Sequence, residues 1–124
     1  MIGIGPFLPH HATPFKDFPK GDLQTTLRLL SILRLLFPHA LLPATTALGT
    51  LHPQGRVMGL KAGANVVMPN VSPLELRKLY ALYENKIGTN AESAEGLALL
   101  KAEVAEAGYQ VVESAGHVKR ESFI

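Results

Sequence analysis

Short apolar runs, each cut off by proline or glycine, alternate along this chain with longer stretches of helical periodicity. That alternation limits the fold more than any single motif does. Ile2–Leu8 reads as a strand interrupted by Pro6, and His10 to Lys20, with Pro14 and Pro19, as a long loop. Asp22 caps a helix to about Phe37, with Leu23, Leu27, Leu30, Leu33 and Phe37 on one stripe and Gln24, Arg28 and Ser31 on another face. Pro38 stops it, because the residue before a proline avoids the helical region. Leu41–Leu48 reads as a second strand. A short helix opened by Pro53 and closed by Gly63 follows, and Ala64–Met68 is a third strand. Ser72-Pro73-Leu74-Glu75 combines a capping box with proline at the first helical position. The helix it opens carries Leu76, Leu79, Tyr80 and Tyr83. A further helix spans about Ala91–Ala107, with Leu97, Leu100 and Val104 on one stripe and Gly108 as its stop; Tyr109–Val112 closes as a strand.

This order predicts an α/β fold of parallel strands with flanking helices. Two architectures fit it, an open layer of three or four strands or a partial (β/α)8, TIM-type barrel. A complete barrel takes about 200–250 residues. With 124 residues in a single domain, 1–124, the chain supplies about half of one.

Aromatics make up 6% of the chain and Trp is absent, which predicts an aliphatic core. The absence of cysteine removes disulfides, thiolate-bound zinc, cysteine nucleophiles and any iron–sulfur cluster held by the chain's own thiolates. Net charge is +2, and the densest basic group is Lys119-Arg120. Neither a clustered basic patch nor a nucleic-acid module is present, so no nucleic-acid partner is expected. No basic segment precedes the apolar N-terminus, as a secretory signal requires, and a cytoplasmic protein is expected. The most apolar stretch, Leu23 to Phe37, carries Arg28 and Arg34 and falls short of the ~20 residues of a membrane span.

In parallel α/β folds ligands meet the loops that follow the strands. That rule selects Pro6–His11, Thr45–Thr50 and Met68–Ser72. Thr45 and Thr46 offer two adjacent hydroxyls, of which strand alternation would point only one to a given face; threonine is also simply a good strand residue. Gly3-Ile4-Gly5 fails as a dinucleotide fingerprint, because Leu8 stands where a third glycine belongs. Five histidines lack helical i, i+4 spacing and a carboxylate cluster, so no metal site is expected, and His10 alone is kept as a ligand contact. No Gly-x-Ser-x-Gly elbow occurs. Tyr80 and Tyr83 are neighbours on one helix face, either half-buried packing or an aromatic wall against a flat ligand.

Longer strings carry more. Gly3-Ile4-Gly5-Pro6-Phe7-Leu8-Pro9-His10 with Thr13-Pro14-Phe15, the run Leu42 to Leu51, and Gly63-Ala64-Asn65-Val66-Val67-Met68-Pro69-Asn70 with Ser72-Pro73 occur in that order. Together they resemble the radical-SAM family that includes biotin synthase and the HydE-type hydrogenase maturases. Tyr80-Ala81-Leu82-Tyr83 with Lys86-Ile87 resembles the HydE type in particular, and the likeness covers about residues 1–88. It implies the C-terminal half of a radical-SAM barrel, in which S-adenosylmethionine and a [4Fe-4S] cluster generate a 5′-deoxyadenosyl radical. Carried over, Thr45, Thr46, Met68, Tyr80 and Tyr83 contact the cofactor, and Pro9, His10, Thr45 and Asn70 contact substrate. No catalytic residue and no metal ligand is assigned to the chain.

The family's Cys-x3-Cys-x2-Cys cluster motif is missing, and Gly88-Thr89-Asn90 excludes the auxiliary cluster that some HydE proteins carry. The implied protein is therefore inactive alone. Its expected partners are an N-terminal half or a separate cluster-binding chain, and a second copy paired through open sheet edges. The alternative is a free-standing module that binds a small ligand or itself.

Overall fold

The computed structural model describes residues 1–77, 79, 93–112 and 116–117. Among the described residues five helices are present: α1 Leu23–Leu36, α2 Thr46–Leu51, α3 Gly55–Lys61, α4 Leu74–Arg77 and α5 Ser93–Glu106. No helix among the described residues is long and apolar enough to cross a membrane.

The start of α1 and the end of α5 each have a local cause. Asp22, extended at φ −89° and ψ 135°, accepts the amide of Thr25 at 2.7 Å and so satisfies one of the free donors of the first turn of α1. Thr26 is buried on the same helix, and its hydroxyl donates to the Asp22 carbonyl at 2.9 Å. At the other end of the chain Gly108 adopts φ +89°, and the Tyr109 amide returns to the Val104 carbonyl at 3.0 Å. This closes α5 at the glycine that the sequence marks as its stop. Gly63, at φ +124°, ends the turn after α3 in the same left-handed conformation.

The core is aliphatic, as the composition predicts. Leu30 from α1, Leu42 and Ala44 from the extended run 41–45, Leu48 from α2, Val57 and Leu60 from α3, Ala64, and Val104 with Ala107 from α5's end form one cluster. Leu30, Leu42 and Leu48 are fully buried. α3 is the hub, packed against α1, α2 and α5. It turns back so closely on α2 that a side chain at Gly55 would collide with the Leu48 carbonyl. Phe37, Leu76, Leu79 and Leu97 depart from expectation, since all four are exposed and none joins the core.

The partial (β/α)8 barrel is not what forms. Among the described residues the β structure amounts to one parallel bridge, Pro43 with Val66, and there is no sheet. The apolar runs do lie side by side. Ile2 N–H donates to the Leu41 carbonyl at 2.9 Å, Ala44 N–H to Val66 at 2.8 Å, and Asn65 and Val66 N–H both to Leu42. On the side that faces the first run, Pro43 has no amide to give. The Leu42 amide next to it is taken by the side-chain oxygen of Asn65 at 2.8 Å instead of by a neighbouring strand. Pro6 and Pro9 interrupt the first run in the same way. Leu41–Leu48 is not a strand to its end, since the Thr45 side chain caps a helix that starts at Thr46. Tyr109–Val112 leaves α5 without joining any ladder.

With no sheet between them, α1 and the segment after α3 are joined by side chains. Ser31 donates to the Ala62 carbonyl at 2.8 Å, and Arg34 Nε to the Gly63 carbonyl at 2.8 Å. Arg34 Nη1 reaches Pro38 at 2.7 Å and Ala40 at 2.9 Å on the connection into the second run.

Two outcomes follow for stability. Leu48→Ala empties a fully buried site between α2 and α3 and should lower the unfolding free energy by about 3 kcal/mol, read from urea melts at constant slope. The Asp22 carboxyl lies below its ordinary pKa of 3.8, first through the hydrogen bond from the Thr25 amide and then through the Thr25 side chain. Its folded form therefore holds the proton less tightly than its unfolded form. The resulting stabilisation is complete above 3.8 and is lost as pH falls through the depressed value. Asp22→Asn keeps a capping oxygen without a titration, so the stability gap between wild type and variant should narrow on acidification.

Candidate functional site

The rims selected from the sequence fall at the ends of the extended runs, and there the two threonines separate. Thr45 is half-buried, accepts the Leu48 amide at 3.4 Å as the cap of α2, and lies against Gly5 so closely that a methyl there would sit 2.9 Å from its Oγ1. It holds α2 against the first run. Thr46, one residue on, lines a cavity of about 490 Å³ between α2, α3 and α5. Met68, Pro69 and Asn70, at the end of the third run, line the same cavity. Asn70 is held there by its own side chain, whose oxygen accepts the Ser72 amide at 3.2 Å.

Of the residues named from sequence, the structure thus brings together Thr46, Met68 and Asn70. Pro9 and His10 do not reach this cavity. The His10 carbonyl accepts the Thr13 amide and hydroxyl, its Nδ1 accepts the Ala12 amide at 3.1 Å, and its ring stacks on His11 with centroids 4.4 Å apart. These contacts build the loop between residues 10 and 18. Tyr80 and Tyr83 lie outside the described residues.

Sequence reasoning missed an ion pair in the wall. Arg56 on α3 meets Glu103 on α5, with Nη2 donating to Oε1 at 2.8 Å and Nε facing Oε2 at 2.8 Å. The side chains are 15% and 25% exposed, so water screens the pair only in part. The partners stand 47 positions apart, and no periodicity or motif links them. A second cavity, of about 830 Å³, opens near Met1, Arg34, Asn65 and Tyr109, and none of the described residues named as site candidates lines it.

The smaller cavity offers a hydroxyl, an amide, a thioether and an ion pair in a largely apolar wall, a composition and size suited to a small organic ligand. A metal cluster does not fit this chain. It has no cysteine, and no group of three His, Asp or Glu among the described residues could hold a metal ion.

No family model matches the chain. Over 87 residues, 70% of its length, it is 51% identical to the [FeFe] hydrogenase maturase subunit HydE of Thermotoga maritima. It is also 38% identical over 78 residues to 3-methylornithine synthase of Methanosarcina acetivorans, and 37% identical over 73 residues to that of Methanosarcina barkeri. These matches cover 60% and 59% of the chain. The chain spans a quarter or less of each relative, 25%, 22% and 20%, in the C-terminal part.

Removing one member of the ion pair leaves the other charge half-buried and alone. Glu103→Ala should cost about 2 kcal/mol, near the low end for such pairs because both groups keep some solvent contact. Replacing both partners, Arg56→Met with Glu103→Leu, should recover most of that loss in the same melts.

Proposed function

The chain is a homologue of radical-SAM family members, matching them over part of their length, and from this we propose that it is the S-adenosylmethionine- and substrate-cavity portion of a HydE-like enzyme. The observation that carries the reading is the convergence of Thr46, Met68 and Asn70 on one cavity. Those three are among the positions that the family resemblance marks for cofactor and substrate. The Thr46 hydroxyl and the Asn70 amide would bind and orient polar groups of the ligand, and Met68 would pack against its apolar part. Thr45 acts one step removed, by fixing the start of α2 and hence the direction in which Thr46 points.

S-adenosylmethionine, once bound and reduced, would supply the 5′-deoxyadenosyl radical typical of the family. The electron source has to come from elsewhere, since this chain has no cysteine to ligate a cluster. Catalysis then needs an N-terminal half or a separate cluster-binding polypeptide, and the chain alone binds without reacting. A cytoplasmic location belongs to the same proposal. The second reading, a free-standing module that self-associates, is favoured by the aliphatic side chains that α1 leaves in solvent.

Titration calorimetry with S-adenosylmethionine tests the first reading. Wild type should bind, and Thr46→Val should weaken binding about tenfold, the loss of one or two hydrogen bonds, without lowering the melting temperature. Thr45→Val should instead destabilise the fold. Equal binding by wild type and Thr46→Val would remove the cavity assignment. With dithionite and S-adenosylmethionine the isolated chain should release no 5′-deoxyadenosine, and release would overturn the requirement for a cluster-bearing partner.

A further inference from the structure

The fold uses Arg34 as a set of hydrogen-bond donors and leaves one nitrogen over. Nε gives to the Gly63 carbonyl, and Nη1 to those of Phe37, Pro38 and Ala40. All four partners are neutral. The third nitrogen, Nη2, is buried and makes no hydrogen bond. A charged donor shut off from water without an acceptor is costly, and an anion placed against it removes that cost.

Arg34 also belongs to the wall of the larger cavity, of about 830 Å³, which lies near the starts of the extended runs. The wall is mostly apolar, with Leu41, Leu60, Val66 and Val104, and no Asp or Glu occurs among its described residues. Asn65 adds a donor, because its Oδ1 is taken by the Leu42 amide and its side-chain NH2 remains. No described residue lines both this cavity and the smaller one. A space of this size suits a small organic molecule. One positive charge and one amide donor in an apolar wall select an acid with a single negative charge and an apolar body. A carboxylate fits, and guanidinium recognises that group well. A phosphate monoester brings nearly two charges and would leave the second unpaired in the same wall. Because Nη2 is shielded, the carboxylate reaches it through rotamer changes in the wall, which exposed side chains make within nanoseconds.

We propose that the larger cavity binds an apolar monocarboxylate of the short fatty-acid class. Its carboxylate meets Arg34 Nη2 and the Asn65 amide, and its hydrocarbon lies along Leu41, Leu60 and Val104. This site is independent of the S-adenosylmethionine reading, which rests on the other cavity.

Calorimetric titration of the full chain with octanoate and with 1-octanol, which share a hydrocarbon chain and differ in charge, tests the site. Octanoate should bind about tenfold or more tighter than 1-octanol, the gain of a charge-assisted hydrogen bond. In nuclear magnetic resonance spectra it should move the signals of the Arg34 guanidinium and the Asn65 side-chain amide. Val111 lines the cavity, is 41% exposed and lies outside the core cluster, so it accepts a charge without unfolding the chain. Val111→Glu should weaken octanoate about tenfold by like-charge repulsion, whereas Val111→Lys should not weaken it, each with the circular dichroism of wild type. Equal binding of acid and alcohol overturns the proposal, as does octanoate that leaves Arg34 and Asn65 unmoved or ignores Val111→Glu. A wild type that binds neither compound, the outcome when the chain fills this space itself, overturns it as well.

Discussion

The guanidinium of Arg34 holds together parts of the chain that no sheet connects. Its Nε takes the carbonyl of Gly63, where α3 turns into the third extended run, and its Nη1 takes those of Pro38 and Ala40, which lead into the second. Both central runs are therefore positioned from one side chain at the last turn of α1. Gly63 makes this possible in two ways. It supplies the left-handed turn, and its missing Cβ leaves room for Arg34, whose own Cβ would otherwise be met at 2.7 Å. Leu42 and Ala44 then enter the core at fixed depth, and Thr46 and Met68 arrive on the same side of it.

The start of α1 and the end of α5 were legible in the sequence because their signals are local. Asp22 and Gly108 each act on the backbone within a few residues, and each does in the structure what its chemistry suggests. The strands were misread because an apolar run reports burial and not hydrogen-bond pairing. Ala64–Met68 is extended and lies beside 41–45, as a strand would. Whether the two become a ladder depends on Asn65 turning its side chain toward the Leu42 amide, a rotamer choice made only once the chain is packed.

The site shows the same division. Thr46, Met68 and Asn70 line one cavity near the ends of extended runs, the places where the rule for parallel folds looks for candidate residues. Thr45 and Thr46 could not be told apart as long as both were assigned to a strand. In a strand they differ only in face, whereas at a helix start one is a cap and the other is not. His10 looked like a ligand contact because it stands in a loop, yet its ring and carbonyl are spent on that loop's own turns. Arg56 and Glu103 meet through the packing of α3 on α5, a contact to which local sequence is blind.

One small contact sets apart a whole stretch of the surface. Gly21 N–H closes on the Phe7 carbonyl at 2.7 Å, with the glycine pressed against the backbone of Phe7 and Pro6, so the thirteen residues between leave and return at a single point. Phe7, Phe15 and Phe18 pack edge to face within this excursion, and none of them enters the core. The clasp makes the loop modular. Its interior can be lengthened, shortened or exchanged for a foreign peptide while the neck keeps α1 in register with the first run, which makes it the natural place on this chain for grafting.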